Sequence, residues 1–153
     1  MSVPASMAVD IRFRDAKLAD APAVAALIEA LGYPCELGEA ERRIRRVNAS
    51  PRQALILAIL GDSVCGLISV DYMFYLPLGR DTCRITALVV DARFRSQGVG
   101  RALLRHAESL ARRENVARIE LTTAGHRHEA HAFYTQCGYE RSSVRFVKPL
   151  GDA

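Results

Sequence analysis

The sequence predicts an α/β fold: a mixed central sheet with helices on both faces. Three observations carry this. The chain has 153 residues, half of them apolar and a quarter charged, enough for one globular domain with a sizeable core. Strand-like runs joined as hairpins come early, and alternating strand–helix units follow. The order reads β-α-α-β-β-β-α-β-α-β. Residues 1–8 read as a loose N-terminal segment and 9–150 as a single domain.

Val9 to Arg14 alternates apolar and charged residues, the mark of a half-buried strand. Lys17 to Leu31 follows a helical period, with Leu18, Ala21, Val24, Ala25, Ile28 and Leu31 on one face. Gly32 and Pro34 end it. Glu36 to Asn48 is a second helix, with Leu37, Ala40, Ile44 and Val47 inward, and Ser50-Pro51 breaks the chain. Gln53 to Leu60 and Val64 to Tyr72 are strands joined at Gly61-Asp62, a strong hairpin signal. Met73 to Asp81 holds Pro77 and Gly79 and reads as a loop. Cys83 to Val90 is a buried strand. Gly98 to Glu114 is a long helix, Ala117 to Thr122 a strand, and His128 to Cys137 a helix closed by Gly138. Tyr139 to Lys148 is the last predicted strand.

Composition narrows the function classes. The longest apolar run, Ala54 to Leu60, is too short to span a bilayer, and the first residues lack a secretory pattern. The net charge is +4, and only Lys17 and Lys148 among the 21 basic residues are lysines. Arginine favours bidentate contact with phosphate or carboxylate, so an anionic ligand is compatible and nucleic acid is not required. Cys35, Cys65, Cys83 and Cys137 are scattered, which is not metal-finger spacing, and reduced thiols in a cytoplasmic protein are the simplest reading.

The informative segment is Arg93-Phe94-Arg95-Ser96-Gln97-Gly98-Val99-Gly100-Arg101, between a buried strand and a long helix. Glycines let backbone approach a ligand, and the first amides of the helix have no partner inside it. Together with the positive end of the helix dipole they can cradle a phosphate. A Walker loop would need Gly-Lys-Ser/Thr, and the lysine is absent. A dinucleotide fingerprint would need Gly or Ala where Leu103 stands, although Glu120 falls near the place of its ribose-binding acid. The bland reading is a glycine-containing turn ringed by surface arginines.

The stretch R-S-Q-G-V-G-R-A after I-T-A-L-V-V-D resembles the acetyl-CoA loop of the GNAT acetyltransferases, Arg/Gln-x-x-Gly-x-Gly/Ala. Ala130 to Tyr139, A-H-A-F-Y-T-Q-C-G-Y, resembles the second signature of that family. The element order matches from Val9 to Lys148. This resemblance implies acetyl-CoA as co-substrate and a small-molecule or peptide amine as acceptor; from the residues themselves no metal, nucleic acid or membrane partner is expected. Backbone groups of Leu88, Val89 and Val90 would pair with the pantetheine arm, on a strand that splays from its neighbour at a bulge. Amides of Arg95, Ser96, Gln97, Gly98, Val99, Gly100 and Arg101 would hold the pyrophosphate. Phe133 would line the thiol end, and Tyr134 would give a proton to the departing thiolate. Pairing through the C-terminal strand, as in many family members, implies a homodimer.

Each of these readings has a plainer rival. Ala130, Phe133, Tyr134 and Cys137 are spaced like an ordinary buried stripe, so Tyr134 by periodicity alone is core. The strand before the loop, Ile85 to Leu88, lacks the glutamate that many GNAT enzymes use as a base. Glu36, Glu39, Asp71, His126 or a water remain candidates. His126, His128 and His131 cluster without a completed ligand set, and a polar helix start is the plainer reading. His126 or Arg127 stands where the family often has a cofactor-touching asparagine. Arg42 to Arg46 reads as a solvated helix face. The expected function is an acetyl-CoA-dependent N-acetyltransferase. The alternative is a non-catalytic acyl-CoA-binding GNAT module serving as sensor or complex subunit. The acceptor, and whether another acyl group is preferred, stay open.

Overall fold

The computed structural model describes residues 10–123 and 128–151. The predicted loose segment 1–8 lies outside them. The chain divides into two compact units, Met1–Leu121 and Thr122–Ala153.

The first unit is a five-stranded sheet in the order β1-β2-β3-β4-β5. Its strands are β1 (Arg12–Asp15), β2 (Gln53–Leu60), β3 (Ser63–Tyr75), β4 (Arg80–Val90) and β5 (Ile119–Leu121). Neighbours are antiparallel up to β4, and β4 with β5 is parallel. The helices are α1 (Ala21–Ala30), α2 (Leu37–Asn48) and α3 (Val99–Arg113). Val24 and Leu27 of α1 and Ala40 and Ile44 of α2 are buried together with Leu55, Leu57, Leu67 and Val89 of the sheet. Ile44 and Leu57 are fully buried, and truncating such a side chain to alanine costs about 2–5 kcal/mol.

The α3 helix covers the opposite face. Gly66 is paired with Ala58 and Val90, one residue out of step with Leu67, and successive strand residues face opposite ways. A Cβ at Gly66 would lie 2.9 Å from the Val89 carbonyl and 3.1 and 3.3 Å from Leu103 and Val99 of α3. The glycine therefore sets how closely α3 approaches the sheet. On the same face the His106 ring of α3 stacks on Phe13 at 4.4 Å. Burial holds that imidazole below its ordinary pKa.

Polar contacts fix the chain before α1. Arg14 donates to both oxygens of Asp20 at 2.7 and 2.9 Å, and the Lys17 amide donates to the same carboxylate. The bonds from Arg14 outweigh burial and hold the Asp20 carboxyl below the usual range. Helix α1 starts later than its periodicity predicts, because Leu18–Asp20 forms a tight 3-10 turn with Pro22 just beyond.

One connection differs from the sequence reading. Met73 to Asp81 is not a long loop. The β3–β4 ladder continues through Phe74–Asp81 and Tyr75–Arg80 to a turn at Leu76–Leu78 and Gly79. Gly79 is left-handed at φ +64, the conformation that a tight return requires. This hairpin end buries little apolar surface, so its strands lack a clear hydrophobic signal.

The second unit contains α4 (His128–Gln136), which ends at Gly138 with φ +92. The predicted final strand is not formed: residues 139–150 join no ladder. An extended run becomes a strand only when a partner takes up its backbone groups. Val144, Phe146, Val147 and Leu150 stay exposed, Phe146 at 93%.

Candidate functional site

The site is built on β4. The β3–β4 register passes from Ser69–Ala87 to Val70–Ile85, which leaves Thr86 as an extra residue in β4. The Thr86 and Ser69 hydroxyls are 2.7 Å apart across this bulge. On its other side β4 pairs with β5 only at Cys83, Arg84 and Ile85. From Thr86 to Val90 the edge turned away from β3 has no ladder partner among the described residues. Such an edge offers unpaired N–H and C=O groups to an extended ligand. Leu88 and Val90 are half-buried and Val89 is buried, so the edge is anchored by its side chains.

The same strand leads into the glycine loop. The Asp91 amide donates to the Cys65 carbonyl, and the Asp91 carboxylate accepts from the Arg93 amide and guanidinium. Those bonds hold the Asp91 carboxyl below its ordinary pKa. Arg93 is thereby folded onto Asp91. Arg95 and Arg101 are exposed and make no ion pair among the described residues. Ser96 is left-handed at φ 64, a strained conformation for a residue with a side chain, and Gly98 follows at φ 80. These two reversals turn the backbone into α3. Its first internal bond runs from the Ala102 amide to the Gly98 carbonyl. The amides of Val99, Gly100 and Arg101 have no partner within the helix.

These features fit the cofactor that the loop motif implies. A Cβ on Gly98 would meet nothing within 4 Å, so the turn is open at that glycine. Left-handed residues beside a helix N-terminus form a concavity suited to a phosphate. The open β4 edge runs directly into it. Leu88, Val89, Val90 and residues 95–101 are thus brought together.

Phe133 and Tyr134 lie in the second unit. Both are half-buried, with ring centroids 5.2 Å apart, and Tyr134 is 6.0 Å from the Tyr139 ring. The Tyr139 amide donates to the Tyr134 carbonyl, a bond that closes α4.

The base candidates separate. Glu39 accepts from the Glu36 amide and pairs with Arg43, as a capping residue of α2. Glu36 is the exposed N-cap of that helix. Asp71 stands on β3 opposite Arg84. His126 lies outside the described residues. His128 and His131 meet edge to face at 6.2 Å, and no group of three metal-binding side chains occurs among the described residues. The sequence reading missed the pairing of Arg84 with Glu120, which only the strand register reveals. It also passed over Gly66, whose signal was a glycine inside an apolar strand.

The family model "Acetyltransferase (GNAT) family" matches residues 23–139. The chain belongs to the GNAT acetyltransferase family. Among curated proteins it resembles an aminoalkylphosphonate N-acetyltransferase of Salmonella typhimurium, 38% identical over 94 residues, with 61% of each chain covered. The chain thus spans about three-fifths of that relative. Among solved structures, a transcriptional regulator from Bacillus halodurans superposes with a TM-score of 0.84 at 22% identity, covering 92% of this chain and all of that one. A glucosamine-6-phosphate N-acetyltransferase from Arabidopsis thaliana gives 0.81 at 17% identity, covering 93% of this chain and 99% of that one. At these identities the two structures establish the fold.

Proposed function

We propose that this chain is an acetyl-CoA-dependent N-acetyltransferase that moves an acetyl group to a primary amine by direct attack, within one domain over 9–150. The observation that carries the reading is the open β4 edge running into the Ser96–Arg101 turn. The Leu88–Val90 backbone would pair with the pantetheine arm. The amides from Arg95 to Arg101, with the Arg95 and Arg101 charges, would hold the pyrophosphate. As the family resemblance implies, Phe133 would add apolar surface at the thiol end. Bound acetyl-CoA supplies the activated acyl group. Backbone amides beside the bulge polarise its carbonyl, and Tyr134 gives the proton that the leaving sulfur needs. Most of the rate would come from holding the amine and the thioester together away from water.

The acceptor is a small molecule or peptide with a primary amine. An aminoalkylphosphonate is the first to try, given the curated relative. Exposed Tyr33 and Leu37 with Phe74 and Leu78 are apolar surface that could border it. All four cysteines are free, which suits the proposed cytoplasmic location. No described helix is long and apolar enough to cross a membrane. A second copy of the chain is the proposed partner of the exposed 139–150 segment.

The absence of a carboxylate on Ile85–Leu88 favours the second reading, a GNAT module that binds acyl-CoA without turnover. Incubation with acetyl-CoA and 2-aminoethylphosphonate, then with other primary amines, separates the two. Amine-dependent release of free CoA thiol is the expected result. Acetyl-CoA binding without thiol release from any amine would establish the non-catalytic reading.

A further inference from the structure

We propose that Asp71 takes the proton from the acceptor's ammonium group, in a charged row held by the Arg84–Glu120 pair at the closed end of the β4–β5 opening. This rests on the acetyltransferase reading above. The row follows from the register. Asp71 of β3 is opposite Arg84 of β4, and Arg84 is opposite Glu120 of β5. Side chains at such paired positions lie about 5 Å apart. The row is one residue below Ile85–Leu121, where the β4–β5 ladder stops, and two residues from Thr86 at the bulge.

The two carboxylates of the row are not equivalent. Arg84 donates to one oxygen of Glu120 at 3.0 Å, and Arg118 lies 3.2 Å from the other. Arg118 also covers the Tyr75 ring at 4.6 Å. Both Glu120 oxygens are therefore committed. Asp71 is half-buried and makes no ion pair or side-chain hydrogen bond among the described residues. Its β2 neighbour is the neutral Gln53. Arg84 is the cation across from it and Glu120 the anion beyond. The buried Cys83 thiol, pushed up to about 11 by burial first and then by the Asp71 and Glu120 charges, is paired with Tyr72 and faces the other side of the sheet. Ser69 shares the face of Asp71, two residues along β3, and its hydroxyl meets that of Thr86 at 2.7 Å. A polar track thus leads from the bulge to Asp71.

The proton count closes. The ammonium gives one proton to the Asp71 carboxylate, and the free amine attacks the thioester carbon. The carbon–sulfur bond breaks, Tyr134 gives its proton to the thiolate and is restored by the second nitrogen proton, and Asp71 returns its proton to water. Near pH 7 an alkylammonium group, with an ordinary pKa near about 10, needs such an acceptor. At pH 10 it does not.

The test is the pH–rate profile of wild type and Asp71→Asn with 2-aminoethylphosphonate, from pH 7 to 10, with acetyl-CoA-induced thermal stabilisation measured beside it. The expected deficit of Asp71→Asn is on the order of 10²-fold at pH 7, shrinking to a few-fold at pH 10, with stabilisation by acetyl-CoA retained. Glu39→Gln should keep the wild-type profile. A deficit constant across pH, unchanged turnover at pH 7, or loss of the acetyl-CoA effect in Asp71→Asn overturns the assignment. Failure of the wild type with this and every other primary amine overturns the transferase reading and the assignment with it.

Discussion

At the residue scale, Tyr134 separates a chemical role from a packing one. Its half-buried ring contacts Phe133 and Tyr139, which a phenylalanine could preserve. Tyr134→Phe should therefore keep acetyl-CoA affinity within a few-fold and lower turnover on the order of 10²-fold, the loss expected for a positioned acid. Wild-type turnover at saturating acetyl-CoA, with chemistry shown to limit the rate, would assign Tyr134 to packing alone. Periodicity could not make this distinction, because a stripe residue and a proton donor on one helix face share the same spacing. The second sequence signature supplied the role. Asp71 was one of several carboxylates in the sequence and gains its meaning from the strand register, which no local pattern encodes. Glu39 is instead taken up by a local contact, its bond to the Glu36 amide three residues back.

At the element scale, the glycine loop and α3 were legible because their cause is local. Gly98 must be left-handed for the chain to enter the helix, and Val99, Leu103 and Ala107 recur at helical spacing. Strand β2 was legible to its ends because it is buried on both faces between Gln53 and Leu60. The β3–β4 turn was not, because its residues lie outside the core. The 139–150 segment fails for another reason. Its mixture of apolar Val144, Phe146 and Val147 with Arg141, Arg145 and Lys148 suits a strand, but strand formation depends on a partner that a single chain's sequence does not name. With Val144, Phe146 and Leu150 left in water, the proposed partner is a second copy. Sedimentation should give a dimer for the wild type and a monomer for Phe146→Asp. A wild-type mass equal to one chain at all concentrations would remove the dimer.

At the scale of the whole molecule, the two helical layers serve one purpose, the placement of a strand edge and a helix start. Helices α1 and α2 hold β2, β3 and β4 from one face. Helix α3 is drawn against the other at Gly66, so its N-terminal amides lie where β4 ends. The account's central claim is that these amides and the Gly98 space form the pyrophosphate cradle. Thermal stabilisation by acetyl-CoA tests this most directly, measured on the wild type, Gly98→Val and Gly79→Val. Both glycines are left-handed and face open space, so the two substitutions carry similar backbone strain, but Gly79 lies at the far end of β4. At a hundred times the dissociation constant the wild type should gain about 2.7 kcal/mol. Gly79→Val should keep that gain from a lowered starting stability, and Gly98→Val should lose it. An undiminished gain in Gly98→Val would contradict the cradle.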